Sequence, residues 1–356
     1  VVRQRLRVTG VVQGVGFRPT VYQLATALEL GGFVGNDSAG VFIELEGELT
    51  AIDEFVLRLR DDPPPLAHID SVERTDMAPA GDTEFVIVES KKQDDATTLV
   101  SPDLEVCADC LAEMKDPTDR RYRYPFINCT NCGPRFTITR ETPYDRPLTT
   151  MASFVMCDAC QVEYDDPGNR RFHAQPNACA ECGPHIWLEE GAPVPTDDVI
   201  AATRERIASG QIVAIKGIGG FHLACDARNP DAIATLRERK HRTAKPFAVM
   251  AADLPTAETI TSLDPAERTL LQSPQRPIVL VEESEVSDLD AGIAPGNNRI
   301  GVMLPYTPLH HLLLEPGDVW VMTSANYASE PIVKSNTEAR AKLGELADTL
   351  LLHDRS

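Results

Sequence analysis

The chain has 356 residues, 42% of them apolar, and a formal net charge of −20. That length exceeds what one hydrophobic core serves and implies two or three domains. So acidic a chain excludes nucleic-acid binding spread over its whole surface, though not one local basic site, and it shows neither an 18-residue apolar run nor a charged-then-apolar leader.

Residues 3–9 alternate, with Leu6 and Val8 apolar between basic residues, and predict a half-buried strand. The strand runs into Gly10-Val-Val-Gln13-Gly14-Val15-Gly16-Phe17-Arg18-Pro19. Apolar periodicity over residues 20–30 then predicts a helix that stops at Gly31-Gly32, with Pro19 suited to its first turn. A glycine loop entering a helix N-terminus, with an arginine at the junction, is anion chemistry: backbone N–H groups, a favourable dipole end and one fixed cation. Taken alone, the same pattern also describes a plain structural turn. Residues 33–36 and 40–46 read as strands, 50–60 as a helix, and 69–76 and 85–89 as strands. The order is β-α-β-β-α-β, a ferredoxin-like unit of about ninety residues.

Within that unit, Val8-Thr-Gly-Val-Val-Gln-Gly-Val-Gly-Phe-Arg18 resembles the acylphosphatase signature. The resemblance implies a phosphate loop of Gln13, Gly14, Val15, Gly16 and Phe17, with Arg18 as the catalytic arginine. It also implies that Asn36, in Gly-Phe-Val-Gly-Asn-Asp-Ser, orients the attacking water. An acyl phosphate is already activated, so cradling its phosphoryl oxygens and placing one water suffices without a covalent nucleophile. Residues 1–90 are then expected to act by themselves, with Arg18 as the one cation at the loop.

Residues 90–95, Ser-Lys-Lys-Gln-Asp-Asp, are polar and unpatterned and predict a linker. Eight of the nine cysteines follow in four Cys-x-x-Cys pairs: Cys107/Cys110, Cys129/Cys132, Cys157/Cys160 and Cys179/Cys182. The gaps between pairs are 18, 24 and 18 residues, so residues 98–190 hold one unit written twice, 50 residues apart. Asp116-Pro117 returns as Asp166-Pro167, Arg120-Arg121 as Arg170-Arg171, and Gly133-Pro134 as Gly183-Pro184. Two such turns at this spacing close a tetrahedron of thiolates, the pattern of a structural Zn²⁺ site with no open position for water. Disulfides fit poorly in a chain without signs of secretion, and paired thiols for metal point to the cytoplasm. Sequential pairing closes the shorter loops; a crossed pairing stays open, and His173 and His185 lie close enough to replace a Cys. Arg120-Arg-Tyr-Arg-Tyr124 suggests stacking on nucleic acid. The acidic balance favours another reading, in which Tyr122, Tyr124, Phe126, Phe136, Tyr144, Phe154, Tyr164 and Phe172 build miniature cores and the arginines face solvent.

Past Pro193 and Pro195, Asp197 and Asp198 can cap a helix that runs to about Ser209 and ends at Gly210. Residues 212–215 form a buried strand, residues 216–222 a glycine turn, and a helix starts near Pro230. Further strands are expected at 248–250, 278–281, 301–304 and 319–322, and this alternation implies an α/β domain. Lys240, Arg242 and Lys245 place three cations within six residues, either a triphosphate site or a solvated face. Thr323-Ser324-Ala-Asn326 follows an apolar strand, at the strand end where such sheets bind ligands. Cys225 is expected in the core, and His310-His311, with no third ligand nearby, off any metal.

Lys-x-Arg with Lys-Pro-Phe, Leu-Pro-Tyr-Thr-Pro-Leu-His and Thr-Ser-Ala-Asn together resemble the YrdC-like family. The resemblance implies ATP, with Mg²⁺, and a carbamate-type substrate joined as a carbamoyl-adenylate. Lys240, Arg242 and Lys245 would hold phosphate, Ser324 and Asn326 the nucleotide; double-stranded RNA binding is also described for that family. The fold class expected is α+β and α/β multidomain: a ferredoxin-like acylphosphatase domain (1–90), a tandem zinc-finger block (98–190) and a YrdC-like α/β domain (198–356). In this order the three resemble the HypF family, the carbamoyltransferases that mature [NiFe]-hydrogenases. The resemblance implies hydrolysis of carbamoyl phosphate, adenylation of carbamate, and transfer of the carbamoyl group to the C-terminal Cys of a HypE-type acceptor, which makes the iron's cyanide ligands. Such proteins continue into a sugar-kinase-like domain with histidine metal ligands that performs the transfer. A chain that opens on Val1 and closes on Ser356 is expected to be an N-terminal fragment without that step. Two rivals are an enzyme forming threonylcarbamoyl-adenylate for tRNA, which is not expected to carry the first two units, and a non-catalytic zinc scaffold. A bound-nucleotide measurement separates these two.

Overall fold

The computed structural model describes residues 1–64, 66–90, 100–327 and 330–356, and most of the expected linker lies outside them. The chain forms two units, residues 1–110 with 127–183 and residues 111–126 with 184–356.

The first unit opens on β1 (Val2–Val11), α1 (Phe17–Ala27), β2 (Gly31–Asp37), β3 (Gly40–Gly47), α2 (Leu49–Asp61), β4 (His68–Met77) and β5 (Phe85–Ile87). The sheet runs β4-β1-β3-β2-β5, antiparallel except that β5 lies parallel to β2. Leu6 and Val8 of β1 face inward, where Val21 and Ala25 of α1 and Ile52, Phe55 and Leu59 of α2 close one core with them. The expected β-α-β-β-α-β order is present, with β5 added at its edge. Helix α1 begins at Phe17, earlier than the proline suggested, because Gly16 turns the chain at φ 75° and buries Phe17 immediately. Glycine reaches that left-handed geometry without a Cβ clash.

The cysteine block follows, with short helices α3 (Ala108–Lys115) and α4 (Asp158–Asp165). Its aromatics divide: Tyr124, Phe126, Tyr144 and Phe172 are buried, whereas Tyr122 and Phe136 are exposed. The arginines do not all face solvent. Arg120 and Arg123 are exposed, but Arg121 and Arg171 are buried, and Arg171 Nε donates to the Asn128 carbonyl at 3.1 Å. Blocks this small satisfy loop carbonyls with arginine donors where a larger domain would use secondary structure.

The second unit holds β6 (Ile186–Glu189), β7 (Pro193–Val194), α5 (Val199–Ala208), β8 (Val213–Lys216), β9 (Phe221–Asp226), α6 (Pro230–Arg239), β10 (Ala248–Ala251), α7 (Leu254–Ile260), β11 (Thr261–Ser262), α8 (Pro265–Leu271), β12 (Val279–Glu283), β13 (Arg299–Met303), α9 (Pro308–Leu313), β14 (Val319–Ser324), α10 (Asn336–Lys342) and β15 (Thr349–His353). The strands make one sheet, β11-β12-β13-β10-β14-β9-β8-β15-β6-β7, mixed but mainly antiparallel, with β10/β13 and β8/β15 the parallel pairs. Both faces are covered. Val319 and Val321 of β14 pack toward α6, α7 and α10, while Trp320 and Met322 pack toward α5 and α9. Asp198 caps α5, accepting from the Ile200 and Ala201 N–H groups at 3.0 Å each. The glycine turn expected through His222 ends at Gly220, because Phe221 is buried and starts β9 against β14 and β8. Cys225 lies in this core, where burial pushes its thiol up to about 12.

Candidate active site and metal centres

Gln13, Gly14 and Gly16 form the loop between β1 and α1, both glycines at φ 75°. No side chain caps the N-terminus of α1 and its first turn holds no acid, so its leading N–H groups are left as donors suited to an anion. Arg18 (8% exposed) and Asn36 (2% exposed) line the same cavity of about 30 Å³ with Gly14 and Gly16. Asn36 Oδ1 is buried with no hydrogen-bond partner among the described residues, an acceptor that a bound water would satisfy. Gln13 serves differently from the expectation. Its Nε2 donates to the Asp37 and Gly40 carbonyls at 2.8 and 2.9 Å, and its Oε1 accepts from Tyr144 N at 3.0 Å. Its side chain is thus committed to holding the loop, as are the buried side chains of Val15 and Phe17 to the core, and backbone N–H groups are what these positions offer an anion.

The first ninety residues do not wall this cradle by themselves. Thr130, Arg135, Tyr144 and His173, all from the cysteine block, line it as well. Nor is Arg18 the one cation beside the loop. The Arg135 guanidinium is buried, donates through Nε to the Gly14 carbonyl, and spends its other donors on Cys132 O, Pro134 O, Cys129 O and Thr130 O at 2.9–3.1 Å. With its donors on carbonyls, Arg135 bolts the glycine loop to a cysteine knuckle. His173 is held neutral, its imidazole pushed down to about 4 by burial and then by Arg18.

The cysteines pair sequentially. Cys107, Cys110, Cys129 and Cys132 form one tetrad, and Cys157, Cys160, Cys179 and Cys182 the other. In each, three of the sulfur–sulfur edges are 3.5–3.8 Å and all four sulfurs lie within 4.8 Å of one another. A tetrahedron with Zn–S bonds of about 2.3 Å has edges of about 3.8 Å, so both tetrads fit structural zinc. Neither His173 nor His185 enters a tetrad. Arg170 Nη1 stands 3.1 Å from Cys110 Sγ in the first tetrad, a contact that favours the thiolate.

In the second unit four of the five expected nucleotide residues meet around the 323–326 segment. Lys240 (4% exposed) donates from Nζ to Ser324 O at 2.6 Å and Asn326 O at 2.8 Å, and Arg242 Nη1 reaches Thr323 Oγ1 at 3.2 Å. Ser324 Oγ is 2.8 Å from Asn326 Oδ1. Lys240 is thereby an anchor for the 323–326 turn. Burial first, and then Arg242 and Lys245, push its ammonium down to about 8. The Lys245 side chain is exposed; its carbonyl accepts from Arg242 Nε at 3.1 Å.

Across the same unit, His222 and His311 are pushed down to about 4 by burial, and fully buried His310 lower still. Both His310 ring nitrogens lack a partner among the described residues. An unfolded chain takes up these protons near pH 6.5, whereas the folded one does not, so acid favours unfolding. Urea unfolding followed through Trp187 and Trp320, the chain's two tryptophans and both in this unit, is expected to show stability falling from pH 6.5 to 5, above the usual carboxylate range. A constant or rising stability over that window would refute the neutral assignment.

Three family models match the chain: Acylphosphatase over residues 4–87, HypF finger over 106–139 and 156–189, and Telomere recombination (Sua5/YciO/YrdC) over 205–356. The class is therefore a modular protein that joins an acylphosphatase unit to cysteine fingers and a YrdC-type sheet. A stand-alone acylphosphatase of Thermotoga maritima, 37% identical, matches 23% of this chain and 92% of its own. Carbamoyltransferase HypF2 of Cupriavidus necator is 54% identical over 99% of this chain and 46% of its own length, and probable carbamoyltransferase HypF of Methanocaldococcus jannaschii 46% identical over 99% and 46%. A crystal structure of full-length HypF in its phosphate- and nucleotide-bound form superposes with TM-score 0.96 at 47% identity, covering all of this chain and 47% of that one. The chain belongs to the HypF family and spans about half the length of the curated relatives it matches. Among the described residues no helix is long and apolar enough to cross a membrane.

Proposed function

We propose that this chain carries the early chemistry of a cytoplasmic carbamoyltransferase of [NiFe]-hydrogenase maturation, with residues 1–90, 98–190 and 198–356 as its functional domains. Carbamoyl phosphate and water give carbamate and phosphate at Arg18 and Asn36. Carbamate and ATP, with Mg²⁺, then give carbamoyl-adenylate and pyrophosphate near Lys240, Arg242, Lys245, Ser324 and Asn326. The carbamoyl group is destined for the C-terminal Cys of a HypE-type acceptor, in making cyanide ligands of the iron. One observation carries the reading: a buried guanidinium and an orphaned buried amide oxygen share one small cavity at an uncapped helix N-terminus. There Arg18 would neutralise the phosphoryl oxygens and Asn36 would place the water in line. The phosphate- and nucleotide-bound state of the full-length relative supports both halves of the reading. Zinc bound by the two tetrads would be structural and take no part in either step.

The test is incubation with carbamoyl phosphate and ATP, with products resolved by mass spectrometry. Phosphate, pyrophosphate and carbamoyl-adenylate are expected, and Asn36→Ala should lower kcat more than it raises KM, since it places water rather than substrate. Absence of phosphate release from carbamoyl phosphate would sink the first half. Absence of both ATP binding and pyrophosphate, here and in a chain extended through the transfer domain, would sink the second.

A further inference from the structure

Arg18 meets more than an anion site. Its Nη2 lies 2.9 Å from Asp145 Oδ1 and 3.4 Å from the Tyr144 carbonyl, while Nη1 is 3.4 Å from Ser90 Oγ. Asp145 belongs to the cysteine block, yet it faces the acyl-phosphate site and is itself only 22% exposed. It is not a loose surface acid. The residue before it is tied down where Tyr144 N donates to Gln13 Oε1. The residue after it, Arg146, donates from its backbone N to Gln175 Oε1 at 2.7 Å and from its guanidinium to the Gln175, Asn177 and Phe154 carbonyls at 2.6–2.8 Å. The backbone that carries the carboxylate is thus held on both sides. Asp145 lines a cavity of about 450 Å³ with Ser90 and Tyr164, and that cavity shares Arg18, His173 and Gln175 with the small cradle.

We infer that Asp145 is a positioning residue for acyl-phosphate hydrolysis: it fixes the outer face of the Arg18 guanidinium and offsets part of its charge. This rests on the hydrolytic reading of Arg18 proposed above. The two effects act on different quantities. Holding the guanidinium in one orientation serves the transition state, whose geometry is demanding. Offsetting its charge weakens the grip on any phosphate dianion, product included, and ground-state binding of that kind adds nothing to the rate.

Asp145→Asn in the full chain separates the two. Acetyl phosphate and carbamoyl phosphate hydrolysis should lose about 10–100-fold in kcat, as expected of a slightly misplaced group. Inorganic phosphate, measured as a competitive inhibitor, should bind several-fold more tightly, because one negative charge has left the site. A purely structural role lowers kcat and phosphate affinity in parallel, and that result would overturn the inference, as would an unchanged kcat. Asp145→Glu keeps the charge and should restore most of the parent's phosphate affinity. Asp145→Ser serves the same comparison if the asparagine variant does not fold, with two zinc ions per chain and an unaltered circular dichroism spectrum as the test of folding. Arg18→Ala measured alongside separates the failures. If that variant hydrolyses like the parent, the hydrolytic reading falls. If it is inactive while Asp145→Asn matches the parent, only the role of Asp145 falls.

Discussion

Arg18→Ala is expected to lower kcat/KM for acetyl phosphate by about 10²–10³, the scale of removing one preorganised donor from a developing oxyanion. Two features push toward the upper end. The other nearby guanidinium, Arg135, has carbonyls on every one of its nitrogens and cannot stand in. The substitution also strands the Asp145 carboxylate without its guanidinium partner, where it repels the phosphate dianion that Arg18 would neutralise. The fold should survive, because the core beneath the loop is built by Val15, Phe17, Val21 and Ala25 rather than by Arg18. Arg18→Lys should recover little, since an ammonium cannot meet Asp145, the Tyr144 carbonyl and a phosphoryl oxygen with one planar fork. Rates on purified variants, with circular dichroism as the control, decide the matter, and parent-like hydrolysis by the alanine variant refutes the assignment.

Stripping the metal is expected to unfold the cysteine block and to take acyl-phosphate hydrolysis with it. Each tetrad crowds four sulfurs within 4.8 Å of one another, three of its edges at 3.5–3.8 Å, an arrangement that thiolates keep only around a cation. Apparent binding energies of about 10–16 kcal/mol for structural zinc in small modules exceed anything the few buried aromatics nearby can replace. The hydrolytic loss follows from Arg135, whose partners Cys129, Thr130 and Cys132 form the knuckle of the first tetrad. When that knuckle melts, Gly14 loses its fastening, while the ferredoxin-like core keeps its own. Elemental analysis of protein purified without chelator should give two zinc ions per chain. After chelation, hydrolysis should fall much further than the sheet signal does. A fully demetallated protein that still hydrolysed acetyl phosphate at the parent rate would show that the bolt does not matter.

Local patterns carried much of this structure. Leu6 and Val8 announce their strand by alternation, Asp198 its helix by capping chemistry, and the eight cysteines their two tetrads by spacing, because each signal is written within some twenty residues. Lys240 and Arg242 drew notice as cations in an acidic chain, although their donors turn out to reach the 323–326 segment and hold it in place. What stayed hidden is the second wall of the cavity at Arg18 and Asn36. Nothing in the local sequence at Arg135, Tyr144, Asp145 and His173 points to Gly14 or Arg18, and that relation exists only after the chain has returned across more than a hundred residues. One hint was present. Gly133-Pro134 recurs as Gly183-Pro184, but the arginine after the first copy gives way to His185 in the second, and a difference inside a repeat marks a residue with separate duties. Strand β9 was missed for another reason: three glycines just ahead of Phe221 outweighed the short apolar run they introduce.

The separation of Gly14 from Arg135, 121 residues along the chain, also has a meaning in time. At synthesis rates of about 5–20 residues per second, the arginine leaves the ribosome roughly 6–24 seconds after the glycine it fastens. The ferredoxin-like sheet has local partners enough to form within that interval, so the phosphate loop spends it folded but with one side open to solvent. Catalytic competence then lags behind the appearance of the first domain by the time needed to make the knuckle, load its metal and swing it home. Pulse-labelled chains released at increasing lengths would show hydrolysis rising in a step after the first tetrad is complete, rather than at residue 90.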